Sequence, residues 1–279
     1  MKPIALITGA SSGIGAALAY VFAAEHYNLV LVARREDKLK EIAEDLKHRF
    51  ETHCWVVAQD LSETNAAQKI YDQLIEKDVH VNVLINNAGL GLRGKFTDQA
   101  WENDLQMLQV NMVALTQLTK VFVNDMLEQK ERNATEEVQL PYKVMNIASL
   151  AAFQPGPNMA VYFATKAFVL SFSEAIAEEL KHSGIHITTI CPGVTRTDFL
   201  ENAQLATPPQ GRYTDWVTQS AEEVAQEAYD ALRQNKRVHI TGGVVNNLSA
   251  TAASVVPHKY LNPLTGWLID NIGGGKDIW

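Results

Sequence analysis

The sequence of 279 residues is 47% hydrophobic and 20% charged, enough apolar material for a sizeable core, with no polar tract long enough for extended disorder. A formal charge of −8 argues against sequence-independent nucleic-acid binding, which needs clustered Lys and Arg to displace counterions. No stretch approaches the ~18 uninterrupted apolar residues of a membrane span, and residues 1–7 lack the apolar core and cleavage site of a secretory leader, so a cytoplasmic protein is expected.

Taken along the chain, a strand pattern at residues 4–8 leads to a helical one at 15–25, a strand at 28–33 to a helix at 37–49, and a strand at 54–58 to a helix at 64–76. Strands at 81–86, 144–148 and 185–191 follow, with helices at 101–127 and 162–182 between them. This alternation predicts an α/β, Rossmann-type doubly wound parallel sheet in three layers and one domain. Residues 131–141 read as a solvated acidic loop, residues 221–233 as a helix and 238–241 as a short strand. The segment 198–220 breaks the rhythm with Pro208, Pro209 and Gly211 among Phe199, Leu200, Leu205, Tyr213 and Trp216. It reads either as a lid over an apolar substrate or as a loop burying its own aromatics. A helix at 244–256, stopped by Pro257, opens a tail (244–279) with an apolar cluster of Tyr260, Leu261, Leu264, Trp267 and Leu268. Cys54 and Cys191 lie in apolar runs without metal-ligand spacing, so both are expected as buried, reduced packing residues, and no metal is expected.

The first strand ends in Thr8-Gly9-Ala10-Ser11-Ser12-Gly13-Ile14-Gly15 and a helix starts at once. Glycines let a pyrophosphate approach the backbone, and a helix N-terminus offers free N–H groups and a positive dipole end; tight strand–helix packing is the competing reading. At the end of the second strand, where an acid would read the ribose of NAD, stand Arg34 and Arg35. Arg34 there favours the 2′-phosphate of NADP(H); the alternative gives the ribose to Glu36 or Asp37. Tyr162 and Lys166 share one helix face at i,i+4 spacing, and Ser149 lies at the end of the fifth strand, where ligands of open α/β sheets bind.

With these residues the chain resembles the short-chain dehydrogenase/reductase family. The resemblance rests on the Thr8 to Gly15 turn, Asp60-Leu61, Asn86-Asn87-Ala88-Gly89, Asn111, Ser149, Tyr162, Lys166 and Pro192-Gly193, in family order from Ile4 to about Thr197. It implies hydride transfer between a nicotinamide and an alcohol or carbonyl carbon. Tyr162 would be the acid/base, Lys166 would lower its pKa and hold the nicotinamide ribose, and Ser149 would bind the substrate oxygen. Asn111 would keep a helix irregular and anchor a proton-relaying water. Gly9, Ser11, Ser12, Gly13, Ile14 and Gly15 would hold the phosphates, Asp60 and Leu61 the adenine, and Asn87, Ala88 and Gly89 the adenosine ribose. Thr195 and Thr197 would meet the carboxamide or pyrophosphate, against the plainer reading that they cap the next helix. The family's habit of forming dimers or tetramers makes a homo-oligomer the expected use of the apolar tail, ahead of packing on its own domain. A non-catalytic NADP(H) sensor is the rival function, although such a binder has no need of Ser149 or Tyr162.

Overall fold

The computed structural model describes residues 2–133, 140–203 and 218–272. Among them, seven strands form one wholly parallel sheet: β1 (Ile4–Thr8), β2 (Asn28–Ala33), β3 (Cys54–Ala58), β4 (Val83–Asn86), β5 (Lys143–Ile147), β6 (His186–Cys191) and β9 (Val238–Ile240). Their spatial order is β3-β2-β1-β4-β5-β6-β9. Strands covered on both faces have no solvent side, and the central ones are accordingly near-continuous apolar runs such as Ile4–Thr8 and Asn28–Ala33. On one face, Leu18 and Phe22 of α1 (Gly13–Ala24) pack with Ala228 and Leu232 of α8 (Ala221–Arg233). On the other, Ile70 and Leu74 of α3 (Ala66–Ile75) meet Leu118 and Phe122 of α5 (Leu115–Arg132). The expected three-layer Rossmann-type domain is therefore present.

The strand order reverses between β1 and β4, both of which pair in parallel with their neighbours. Loops leaving the two strands part in opposite directions there and open a crevice at their C-terminal ends. The same end receives Ser149 after β5 and the Pro192-Gly193 turn after β6.

The structure departs from the expected elements in four places. The helix expected over 101–127 is divided into α4 (Trp101–Leu108), a π-helical segment (Gln109–Ala114) and α5, which also runs on into the expected acidic loop as far as Arg132. Helical spacing survives a single wide turn, so periodicity cannot reveal it. A small second sheet pairs β7 (Val194–Arg196) in parallel with β8 (Thr218–Ser220), and α7 (Asp198–Asn202) opens the segment expected to be a lid. Residues 204–217 of that segment lie outside the described residues. After α9 (Gly243–Val255) the tail forms a further helix, α10 (His258–Ile272), despite Pro263 within it. Finally, Cys54 is only half-buried, because β3 is an edge strand; burial raises its thiol to about 11, while Cys191 is buried.

Helix α6 (Ala160–Glu179) is long and apolar enough, by length and hydropathy alone, to cross a membrane. In this fold it carries the buried Lys166 and Ser173 and packs beside β6, as the core helix that faces the crevice.

Candidate active site

The crevice holds a cavity of about 860 Å³ that runs from the glycine-rich turn to the C-terminal helices. At its phosphate end, Gly9 and Gly13 adopt φ of +67° and +54°, left-handed values that favour glycine. A Cβ on Gly15 would stand 2.3 Å from the Gly9 carbonyl oxygen and 2.5 Å from Asn87 Nδ2, so close strand–helix packing is also a reason for this glycine. The first turn of α1 has no side-chain cap at Ser12 and no acidic residue. Its N–H groups and dipole are left for an anion, which fits the pyrophosphate of a nicotinamide dinucleotide. Thr197 closes this end, for a Cβ on Gly13 would lie 3.2 Å from its side chain. Thr195 is buried in β7 with its hydroxyl donating to Gly193 O at 3.1 Å, so it caps no helix.

Beyond β2 both arginines border the cavity, but they are placed differently. Arg35 reaches back across the turn, with Nη2 donating to Ser12 Oγ at 2.8 Å and to Ser11 Oγ at 3.1 Å. Arg34 lies exposed on the rim. Asp60 accepts at Oδ1 from the Ser62 N–H and hydroxyl, both at 2.8 Å, which fixes the turn after β3, and the neighbouring Leu61 is buried. Thr8 Oγ1 accepts from the backbone N–H groups of Asn87 and Ala88 at 3.0 Å each, and Asn87 Nδ2 donates to Thr8 O at 2.9 Å. The Asn87 side chain thus ties β1 to β4, while Ala88 and Gly89 line the cavity beside it.

At the other end the four residues expected to act in catalysis converge. Ser149 caps the short 3-10 turn Leu150–Phe153, its Oγ accepting from Ala151 N at 3.1 Å, which leaves its own proton uncommitted to that turn. Burial pushes Tyr162 up to about 12, and the neighbouring Ser149 pulls the other way. Lys166 donates to Ile147 O at 2.9 Å and lies 5.9 Å from the centre of the Tyr162 ring; burial brings it down to about 8. Burial is the largest cause acting on Tyr162 in this arrangement, and the Lys166 ammonium, itself disfavoured by desolvation, is turned to the Ile147 carbonyl. Asn111 lies in the π-helical segment, as the expected irregularity requires. Its amide is fully engaged: Oδ1 accepts from Leu90 N, and Nδ2 donates to Leu90 O, both at 2.8 Å, and to Thr165 Oγ1 at 3.0 Å. The side chain therefore sets the shape of the loop after β4.

Three features sharpen the sequence reading. Phe199 of α7 lies 5.5 Å from Tyr162, ring to ring, and covers Gly91, where any Cβ would stand 2.4 Å from it. Arg35, rather than Arg34, reaches the turn serines. The tail closes over the substrate end: Ile269 of α10 packs with Ala151, Met159 and Phe163, and Asn246 and Ser249 of α9 line the cavity. The packing of the tail on its own domain is therefore observed. The signal for it, an apolar i,i+4 pattern, was interrupted by Pro263 and Gly266.

The short chain dehydrogenase family profile matches residues 3–207. The chain is 32% identical over 232 residues to sulfoacetaldehyde reductase 2 of Chromohalobacter salexigens, covering 81% of this chain and 86% of that protein. It is likewise 32% identical over 244 residues to a 7beta-hydroxysteroid dehydrogenase of Mediterraneibacter gnavus, covering 88% and 87%. Among solved structures, a short-chain dehydrogenase of Sphingobium yanoikuyae in complex with NADPH superposes with a TM-score of 0.77 at 30% identity, over 90% of this chain and 93% of that one. With its dinucleotide crevice, and with Ser149, Tyr162 and Lys166 meeting in it, the chain belongs to the short-chain dehydrogenase/reductase family and is an oxidoreductase using a nicotinamide dinucleotide.

Proposed function

We propose that this protein is an NADP(H)-preferring reductase or dehydrogenase for a secondary alcohol/ketone or aldehyde pair, in which Tyr162 moves the proton. The observation that carries the reading is the convergence of Ser149, Tyr162 and Lys166 on one end of the crevice, with Lys166 Nζ 5.9 Å from the centre of the Tyr162 ring. The bound nicotinamide supplies or takes the hydride. In reduction, Tyr162 arrives protonated, since burial holds its pKa near 12, and its phenol gives a proton to the oxygen of the carbonyl being reduced. Ser149 donates a hydrogen bond to that same oxygen as negative charge develops on it. Lys166 keeps a positive charge at neutral pH and stabilises the phenolate that Tyr162 becomes. In oxidation the same groups run in reverse. Asn111 acts by holding Leu90 against the cavity, a positioning role.

Preference for NADP(H) is supported by Arg35 on Ser11 and Ser12, a donor set suited to a 2′-phosphate at the adenosine end, with Arg34 as a second cation on the rim. The NADPH complex of the Sphingobium relative agrees with it. We place the protein in the cytoplasm and expect a homo-oligomer, with the exposed Val244, Leu248 and Trp267 as its contact surface.

The test is NADPH oxidation by wild type and Tyr162→Phe over a panel of ketones and aldehydes. Loss of the acid should lower kcat by about 100-fold or more while NADPH still binds. A Tyr162→Phe enzyme that keeps full turnover would refute the assignment. Tight NADPH binding without turnover of any carbonyl would favour the sensor reading.

A further inference from the structure

The half of the cavity beyond Tyr162 has a composition that selects for charge. Its walls are largely apolar, from Leu150, Met159, Phe163, Phe199, Leu200 and Ile269. Among the described residues that line it, the one formally charged side chain besides Lys166 is Asp198, an acid at the start of α7. Among the described residues lining this half, a carboxylate, sulfonate or phosphate on the substrate would meet no cation besides Lys166, whose ammonium is turned to Ile147 O, and would share the cavity with Asp198. Desolvating such an anion against apolar walls is costly, so the geometry favours a neutral molecule.

The polar groups on the tail side narrow the class further. Ser249 Oγ donates to Val245 O at 2.9 Å, and Thr265 Oγ1 donates to Leu261 O at 3.0 Å, each within its own helix. Asn246 Nδ2 donates to Thr241 O at 2.7 Å and is wedged between Gly193 and Gly242, where added Cβ atoms would come within 2.5 Å and 2.3 Å of it. Both hydroxyl protons and one of the two Asn246 amide protons are thus committed to the backbone. What the two hydroxyls still offer to the cavity is oxygen lone pairs, and Asn246 adds its Oδ1 as an acceptor beside one remaining N–H. A row of acceptors beside an apolar floor recognises a hydroxyl attached to an apolar frame.

We infer that the two C-terminal helices select a neutral, bulky carbonyl or alcohol substrate bearing a second hydroxyl, with Ser249, Thr265 and Asn246 as specificity-determining acceptors and Ile269 as the apolar floor. This rests on the reading of the cavity as a carbonyl/alcohol site. Specificity of this kind is strong where an acceptor is buried, as Thr265 and Asn246 are and the exposed Ser249 is not, because a substrate lacking the hydroxyl leaves the buried acceptor unsatisfied.

The experiment separates binding from chemistry by using Tyr162→Phe saturated with NADP+ and measuring affinity by calorimetry. Three probes share one bicyclic secondary-alcohol scaffold and differ at a remote position, carrying hydroxyl, methyl or carboxylate. The hydroxyl probe should bind about 10-fold tighter than either of the others, a difference of one well-made hydrogen bond. Adding Thr265→Val and Ser249→Ala should bring the hydroxyl-to-methyl ratio to about one, and Thr265→Ser should restore it. Preference for the carboxylate, equal affinity for all three, or no binding at millimolar concentration would each overturn the inference. If the order is as expected but wild type oxidises none of the probes, the hydride-transfer reading fails and the selectivity of the wall stands.

Discussion

Replacing Arg35 by alanine tests the cofactor assignment at its weakest-looking point, an exposed side chain. The guanidinium sits 2.8 Å from Ser12 Oγ and 3.1 Å from Ser11 Oγ, so it is already held over the turn where the adenosine end must lie. Hydrogen bonds to charged groups contribute about 1.5–3 kcal/mol each, and solvent exposure discounts a two-bond contact to a net of about 2 kcal/mol. That corresponds to an NADPH affinity about 30-fold weaker. NADH, which has no phosphate at this position, should change by less than about 2-fold, since a surface truncation shifts little else. The assay is KM and kcat for both cofactors with one fixed carbonyl substrate, with Arg34→Ala measured alongside. Arg34→Ala should cost less than Arg35→Ala, because only Arg35 is braced on the serines. Raising ionic strength from about 0.05 to 0.5 M should shrink the wild-type preference for NADPH and leave that of Arg35→Ala nearly flat. Equal losses for NADPH and NADH would refute the phosphate reading, and an unchanged NADPH KM would show that Arg35 braces the turn and nothing more.

The remaining predictions concern the lysine and the turn. Lys166 is held down to about 8, so it is charged below that pH and neutral above it; kcat/KM for reduction should therefore fall as pH rises through about 8. Lys166→Arg, slower overall, should show no such fall up to pH ~10, since guanidinium stays protonated; an unshifted profile would place the titration elsewhere. Gly15→Ala gains about 1 kcal/mol of helix propensity but puts its methyl into the Gly9 carbonyl, an overpacking cost of about 1–3 kcal/mol. Because the obstructing atom is backbone, the melting temperature should drop by a few degrees, and a rise would mean the glycine serves only the cofactor.

Most of the sheet was legible because parallel strands buried on both faces announce themselves as apolar runs, and the turn and Tyr162, Lys166 and Ser149 were legible because their spacing is local. What stayed hidden depended on contacts between distant segments. Asn111 in the π-helical segment makes its hydrogen bonds to Leu90, twenty-one residues away, and no pattern within the helix encodes that. Arg34 and Arg35 are neighbours of equal chemistry; only the direction in which the chain leaves β2 sends the second across the turn. For α10, the sequence shows Pro263, normally worth about 3 kcal/mol against a helix, and the compensating burial of Thr265 and Ile269 over the cavity is visible only once the domain is assembled.

The small β7/β8 pair gives the substrate end an unusual degree of independence. Thr195 is registered with Gln219 and Arg196 with Ser220, so the chain that leaves the main sheet after β6 is clamped to itself before and after residues 197–217. Ser220 then starts α8 through a reciprocal cap with Glu223, which isolates the next helix from whatever precedes the clamp. A connection with fixed ends loses little when its length changes, about 0.6 kcal/mol for each doubling. The chain thus returns to the frame at a fixed point on each side of Thr197 and Phe199, so a change in those two residues acts on the cavity they border and leaves the pairing of the seven strands untouched.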